Sequence, residues 1–124
     1  MSTSLAKILI IEDDPKIRRT IVETLTAAGH VALEAKDGRE GLNLFNIHRP
    51  TMVITDIVMP NKDGFETIGE LRRMTWKGAI IAMSDSDAPR TELYLGMAID
   101  LGADAAVEKP FSDMEILDLV DKLL

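Results

Sequence analysis

The chain has 124 residues, 46% hydrophobic and 28% charged, a composition that suits one soluble globular domain with a single core. It lacks cysteine, which excludes disulfides, zinc–thiolate sites and thiol chemistry and fits a reducing cytoplasm. The formal charge of −7 argues against a grip on nucleic-acid phosphates, and no apolar run reaches membrane-spanning length.

Short apolar runs alternate with amphipathic segments along the whole chain. Lys7–Ile11 reads as a first strand, short and apolar enough to be buried. Asp14 as N-cap and Pro15 at the first helical position then start a helix. Its apolar face is Ile17, Ile21, Leu25 and Ala28, and Gly29 stops it. A second strand, Val31–Ala35, leads to Asp37 and Glu40, whose capping-box spacing starts the next helix. Met52–Thr55 is a third strand, and Gly64–Arg73 a helix. Ala79–Met83 is a fourth strand, followed by a helix over roughly Arg90–Leu101 that Gly102 ends. Ala105–Val107 is the fifth strand, and Ser112 with Glu115 again has capping-box spacing for a last helix.

Five strands alternating with five helices predict an α/β domain with a parallel sheet. Right-handed crossovers and helices on both faces require one reversal of winding, and ligands bind near it at the carboxyl ends of the strands. Glu12, Asp13 and Asp14 follow the first strand, Asp56 the third, Ser84 the fourth and Lys109 the fifth. Each alone has an ordinary role: Asp14 caps a helix, Asp56 and Ser84 suit turns, and Lys109 suits a solvated surface. With Asp14 set aside as a cap, they bring three acids, a hydroxyl and an ammonium to one sheet edge. Two carboxylates about 4 Å apart repel by roughly 4 kcal/mol at an effective dielectric near 20. Glu12, Asp13 and Asp56 therefore call for a cation among them, and magnesium accepts one or two carboxylates, waters and a phosphate oxygen. A carboxylate so placed, with an ammonium and a hydroxyl beside it, can take up a phosphoryl group.

The motifs IIEDDP, VITDIVMPNKDG, AMS and EKPF, in that order between Ala6 and Leu124, resemble those of response-regulator receiver domains of bacterial two-component signalling. The resemblance implies a flavodoxin-like, doubly wound (βα)5 fold, a single domain over residues 1–124 with sheet order 2-1-3-4-5. It implies Asp56 as phosphoacceptor, with Ser84 and Lys109 holding the phosphoryl oxygens. Glu12, Asp13, Asp56 and the Val58 carbonyl would serve Mg2+ (or Mn2+), and the Lys109–Pro110 bond would be cis. The implied partners are a sensor histidine kinase or histidine phosphotransfer protein and an output protein, with no direct contact to nucleic acid or membrane, in the cytoplasm. Phosphorylation would move the loops after strands four and five and repack the face made by helix four, strand five and helix five.

The chain departs from the family pattern in places. Ala106 occupies the position, three before the lysine, where receivers carry a large switch residue. Tyr94 is a candidate substitute, or a core-edge aromatic. Asp85 stands where the family prefers a small residue, and its charge repels phosphate unless it points outward. The polar stretch SDSDAPR, Ser84 to Arg90, is predicted as a loop. His30 and His48 are expected at the edge opposite the acids, as is Trp76, while Arg18 and Arg19 lie on the first helix. Two other functions stay open. One is a small phosphohydrolase with an aspartyl nucleophile, although Val58 stands where such enzymes place a second Asp. The other is a degenerate receiver that binds partners without phosphorylation. The leading reading is a phosphoacceptor rather than a turnover enzyme.

Overall fold

In the computed structural model of the chain, which describes residues 5–59, 62–87 and 89–124, strands and helices alternate from end to end. They are β1 Lys7–Ile11, α1 Pro15–Ala27, β2 Val31–Ala35, α2 Gly38–His48, β3 Met52–Asp56, α3 Gly64–Arg73, β4 Ala79–Asp85, α4 Thr91–Leu101, β5 Ala105–Lys109 and α5 Asp113–Leu123. Pro60 and Asn61 of the VITDIVMPNKDG motif and Ala88 of the Ser84–Arg90 stretch lie outside the described residues. All strand pairs are parallel and the order is β2-β1-β3-β4-β5. The chain thus leaves β1 toward one edge and returns past it to build the other, which puts the winding reversal between β1 and β3.

The period-two alternation of the strands divides the core. Leu9, Ile11, Val53, Ile80 and Ala82 face Phe45 of α2, Ile68 and Leu71 of α3 and Ala98 of α4. Ile8, Ile10, Ile54, Ile81 and Met83 face Ile21 and Leu25 of α1 and Ile116 and Val120 of α5. Buried on both faces, β1, β3 and β4 read as continuous apolar runs, as parallel strands do. β2 and β5 are edge strands and are only partly buried, so the expectation of five buried strands holds for the three central ones.

Local chemistry sets most helix ends where the sequence predicts them. The Asp14 carboxylate accepts from the backbone N–H groups of Lys16 and Ile17, with Pro15 opening α1. α1 ends in a Schellman arrangement: Gly29 has φ +97, its N–H donates to the Thr26 carbonyl, and His30 N–H donates to that of Leu25. Ala28 is therefore an exposed cap residue rather than part of the apolar face. Ser112 and Glu115 form a reciprocal capping box. Asp37 caps α2 through the Glu40 N–H, but the Glu40 carboxylate reaches back to the Lys36 N–H, one residue earlier than the capping-box spacing implies.

Three strand ends differ from the prediction, all for one reason. The ladder continues while a neighbour offers backbone partners: Asp56 pairs with Met83, Ser84 with Glu108 and Asp85 with Lys109. Asp56, Ser84 and Lys109 are consequently the terminal residues of strands or next to them, not loop residues. The predicted Ser84–Arg90 loop shrinks to the residues after Asp85, and Arg90 is the cap of α4, at φ 67, rather than its first residue.

At the amino edge of the sheet one arginine ties two loops together. The Arg72 guanidinium donates to the carbonyls of Gly102, Trp76 and Gly78 and pairs with Asp104, whose carboxylate also accepts from Ile80 N–H. Trp76 packs edge-on to Phe45 here, at the end of the sheet away from the acids, as expected. Among the described residues no helix is long and apolar enough to cross a membrane. Arg72→Met keeps the aliphatic stem but strips three carbonyls of a charged donor, so it should lower stability by about 2–4 kcal/mol, as losing a few such bonds does. Denaturant unfolding checks this; a midpoint equal to wild type would show that the network contributes nothing.

Candidate functional site

The carboxyl ends of β1, β3 and β5 meet at the Lys109 ammonium. Its Nζ lies 2.6 Å from Glu12 Oε1 and 3.2 Å from Asp56 Oδ2, and all three side chains are buried. Parallel pairing produces this meeting, because the chain leaves β1, β3 and β5 on the same edge. The Lys109–Pro110 peptide is cis. Asp56 is held by the backbone, its Oδ1 accepting from Ile57 N–H at 2.9 Å. Behind it, Gly64 opens α3 with its N–H on the Ile57 carbonyl at 2.7 Å. A Cβ on Gly64 would overlap the Asp56 carbonyl oxygen and lie 2.8 Å from Ile57 Cα, so only glycine lets the helix start this close.

Glu12 is fastened from two sides. Its Oε2 accepts from Asp14 N–H at 3.1 Å, while its carbonyl accepts from Arg18 Nη1 at 2.8 Å. Arg18 also pairs with Glu34 of β2 through Nε, at 3.2 Å. The three adjacent acids thus divide: Glu12 is buried, Asp13 is exposed beside it, and Asp14 belongs to the cap of α1.

Ligand oxygens from Glu12, Asp13 and Asp56 all lie within 4.8 Å of one another. Hard oxygen donors at that spacing fit a divalent cation such as Mg2+, and three acids facing one ammonium leave negative charge for it to balance. Val58 stands two residues beyond Asp56, the last residue of β3, with an exposed side chain. Ser84 is buried near the end of β4, and its hydroxyl lies 3.4 Å from that of Thr91. Asp85 is largely exposed, yet its Oδ1 lies 3.7 Å from Lys109 Nζ, so a solvated carboxylate still reaches the ammonium. The site opens into a groove of about 700 Å³ between α1 and the turn after β5, lined by Lys16, Ile17, Thr20, Asp85, Lys109 and Phe111.

Ala106 pairs with Ala82 and is half-buried on the side of α4, where Tyr94 packs edge-on to Phe65 at the rim of the core. His30 and His48 are at the opposite sheet edge, where the His30 imidazole accepts from Ala6 N–H. Sequence reading did not assign functions to Gly64, Arg18 or Thr91. A glycine at the first position of α3 was the one local signal; Arg18 and Thr91 act through contacts that no spacing announces.

The sequence matches the response regulator receiver domain family over residues 8–121. The chain belongs to that family. It is 38% identical to a probable transcriptional regulator ycf27 of Guillardia theta, over 89% of this chain and 42% of that protein. It is 34% identical to response regulator MprA of Mycolicibacterium vanbaalenii, over 95% of this chain and 50% of that protein. The chain spans about half the length of the curated relatives it matches. Among solved structures, the chemotaxis protein CheY4 of Vibrio cholerae superposes with a TM-score of 0.86 at 28% identity, covering 98% of this chain and all of that one. The receiver is therefore a signalling module of the two-component type with the five-stranded, flavodoxin-like fold.

Burial governs the protonation of the site. It pushes the Glu12 carboxyl up to about 7, against the hydrogen bond from Lys109 and with the Asp56 charge adding to the rise. Burial also raises Asp56, while the Lys109 charge opposes it. For Lys109, burial acts downward, but the hydrogen bond to Glu12 and the Asp56 charge outweigh it and the net shift is upward. An ordinary glutamate titrates near 4.5, so between there and about 7 the folded chain holds a proton that the unfolded chain has released. Stability falls as pH rises through that window, and the full penalty stands above it. In cation-free buffer, the stability of wild type relative to Glu12→Gln should fall as pH is raised from about 5 to about 8. Denaturant titrations at several pH values measure it, and a difference independent of pH would contradict the assignment.

Proposed function

We propose that the receiver accepts a phosphoryl group on Asp56, from a histidine kinase or a histidine phosphotransfer protein, in a reaction that requires Mg2+. The observation that carries this reading is the buried Lys109 ammonium shared by Glu12 and Asp56, with Asp13 alongside. A structural ion pair would account for Lys109 with one carboxylate, but not for a further exposed acid, Asp13, gathered within 4.8 Å of both.

The Asp56 carboxylate, oriented by Ile57 N–H, attacks the phosphorus of a phosphohistidine that enters by the groove beside α1. The new bond is an acyl phosphate P–O bond; the P–N bond breaks and its electron pair leaves with the imidazole. Glu12, Asp13, Asp56 and the Val58 carbonyl would hold the Mg2+, which supplies charge neutralisation for the phosphoryl oxygens. Lys109 follows the charge, exchanging part of its hold on the carboxylates for a phosphoryl oxygen, and Ser84 donates its hydroxyl hydrogen to another. The product carries roughly one more negative charge than the carboxylate it replaces, which draws the ends of β4 and β5 toward it. α4, β5 and α5 then present an altered face to an output partner. The relatives named as transcriptional regulators are about twice as long, and the output of this chain is inferred only as a protein contact.

Incubation with Mg2+ and acetyl phosphate, read by intact mass, should give a single phosphoryl adduct in wild type and none in Asp56→Asn. Persistent absence of the adduct in wild type, or steady hydrolysis of acetyl phosphate by both proteins, would overturn the proposal. Asp85→Ala removes an exposed charge that competes for Lys109. It should lengthen the lifetime of the adduct by up to about fivefold, the scale of an exposed ion pair; an equal dephosphorylation rate would show that Asp85 does not act on the site.

A further inference from the structure

Ser84 has one hydroxyl hydrogen, and where it points decides how readily the side chain can serve Asp56. Its Oγ lies 3.4 Å from Oγ1 of Thr91, the first residue of α4, and both residues are buried. Thr91 in turn donates its hydroxyl hydrogen to the Asp85 carbonyl. A threonine hydroxyl holds a single hydrogen but can accept as well. With its hydrogen committed to Asp85, Thr91 can only accept from Ser84, so the Ser84 hydrogen is directed at α4. The contact is longer than ordinary O–H···O bonds, and therefore a hold that a phosphoryl oxygen can outcompete.

The start of α4 is unlike the other helix starts. Asp14, Asp37, Asp63 and Ser112 cap their helices with side-chain oxygens, whereas Arg90 caps α4 in a left-handed conformation without a side-chain bond. Thr91 supplies a tie from that helix back to β4 instead. At Ala106, where a bulky side chain would sense the movement of Ser84, there is only a methyl group.

Building on the phosphoacceptor reading, we propose that Thr91 is a positioning residue for Ser84 and couples it to α4. In the resting state it occupies the Ser84 hydrogen. When that hydrogen turns to a phosphoryl oxygen on Asp56, the buried Thr91 oxygen loses its donor. The first turn of α4 then rearranges to supply another. The helix senses phosphorylation through a chain of two hydroxyls rather than through a swinging aromatic ring.

Thr91→Val keeps the shape and removes the competing acceptor. Labelling of Asp56 by acetyl phosphate should then quicken by roughly two- to tenfold, the worth of one net hydrogen bond. Thr91→Ser should restore the wild-type rate. In a Ser84→Ala background, Thr91→Val should have no effect, which a merely structural role would not predict. In unmutated protein, amide exchange over residues 91–95 should rise on phosphorylation, and this rise should be lost in Ser84→Ala. Equal effects of Thr91→Val with and without Ser84, or exchange in α4 that ignores phosphorylation, would overturn the coupling while leaving Asp56 as phosphoacceptor. Failure of wild type to label at all would overturn both readings.

Discussion

One ammonium holds the carboxyl edge of this domain together. Lys109 reaches Glu12, 97 positions away in the chain, at 2.6 Å and Asp56 at 3.2 Å, all three buried. Two buried carboxylates without that cation would cost several kcal/mol each in lost hydration. The pairing does more than neutralise charge: it fixes the ends of β1, β3 and β5 relative to one another. The same arrangement leaves an imbalance, since Asp13 adds a carboxylate beside Glu12 and Asp56, and Asp85 lies 3.7 Å from the same ammonium. A site built on such an imbalance responds strongly to any cation or phosphoryl group that enters it.

The surrounding fold supplies rigidity where that response would otherwise dissipate. Ile57 N–H and the close approach of Gly64 hold Asp56, and Asp14 N–H and Arg18 hold Glu12. The far edge is locked independently by Arg72, so the two ends of the sheet have separate networks. Between them lies a close-packed core of branched side chains on both faces of the sheet, which holds the central strands in fixed register. The start of α4 is held differently, by the Thr91 hydroxyl on the Asp85 carbonyl, with no side-chain bond from its cap residue Arg90.

The helix starts and the central strands were legible in the sequence because their causes are local. Asp14 before Pro15, Ser112 before Glu115 and Gly29 after Leu25 each act within a few residues. The carboxyl-edge cluster was legible at one remove: a parallel sheet implies that the residues after every strand share one edge, whatever their separation. The order of the strands came from resemblance to a family, since apolar periodicity does not rank strands. What stayed hidden was set by partners far along the chain. The extension of β4 through Asp85 depends on β5, the Glu12–Arg18 bond on how α1 lies against the sheet, and the Ser84–Thr91 contact on the turn before α4.

The role of Lys109 as the resident cation can be tested by removing it. Lys109→Met leaves Glu12 and Asp56 buried without a counter-charge, so Mg2+ should bind more tightly than to wild type by about tenfold, with larger gains at higher pH. Calorimetric titration of both proteins with Mg2+ measures it directly. Unchanged or weaker binding in the variant would mean that the ammonium does not balance these acids, and that something else brings the three strand ends together.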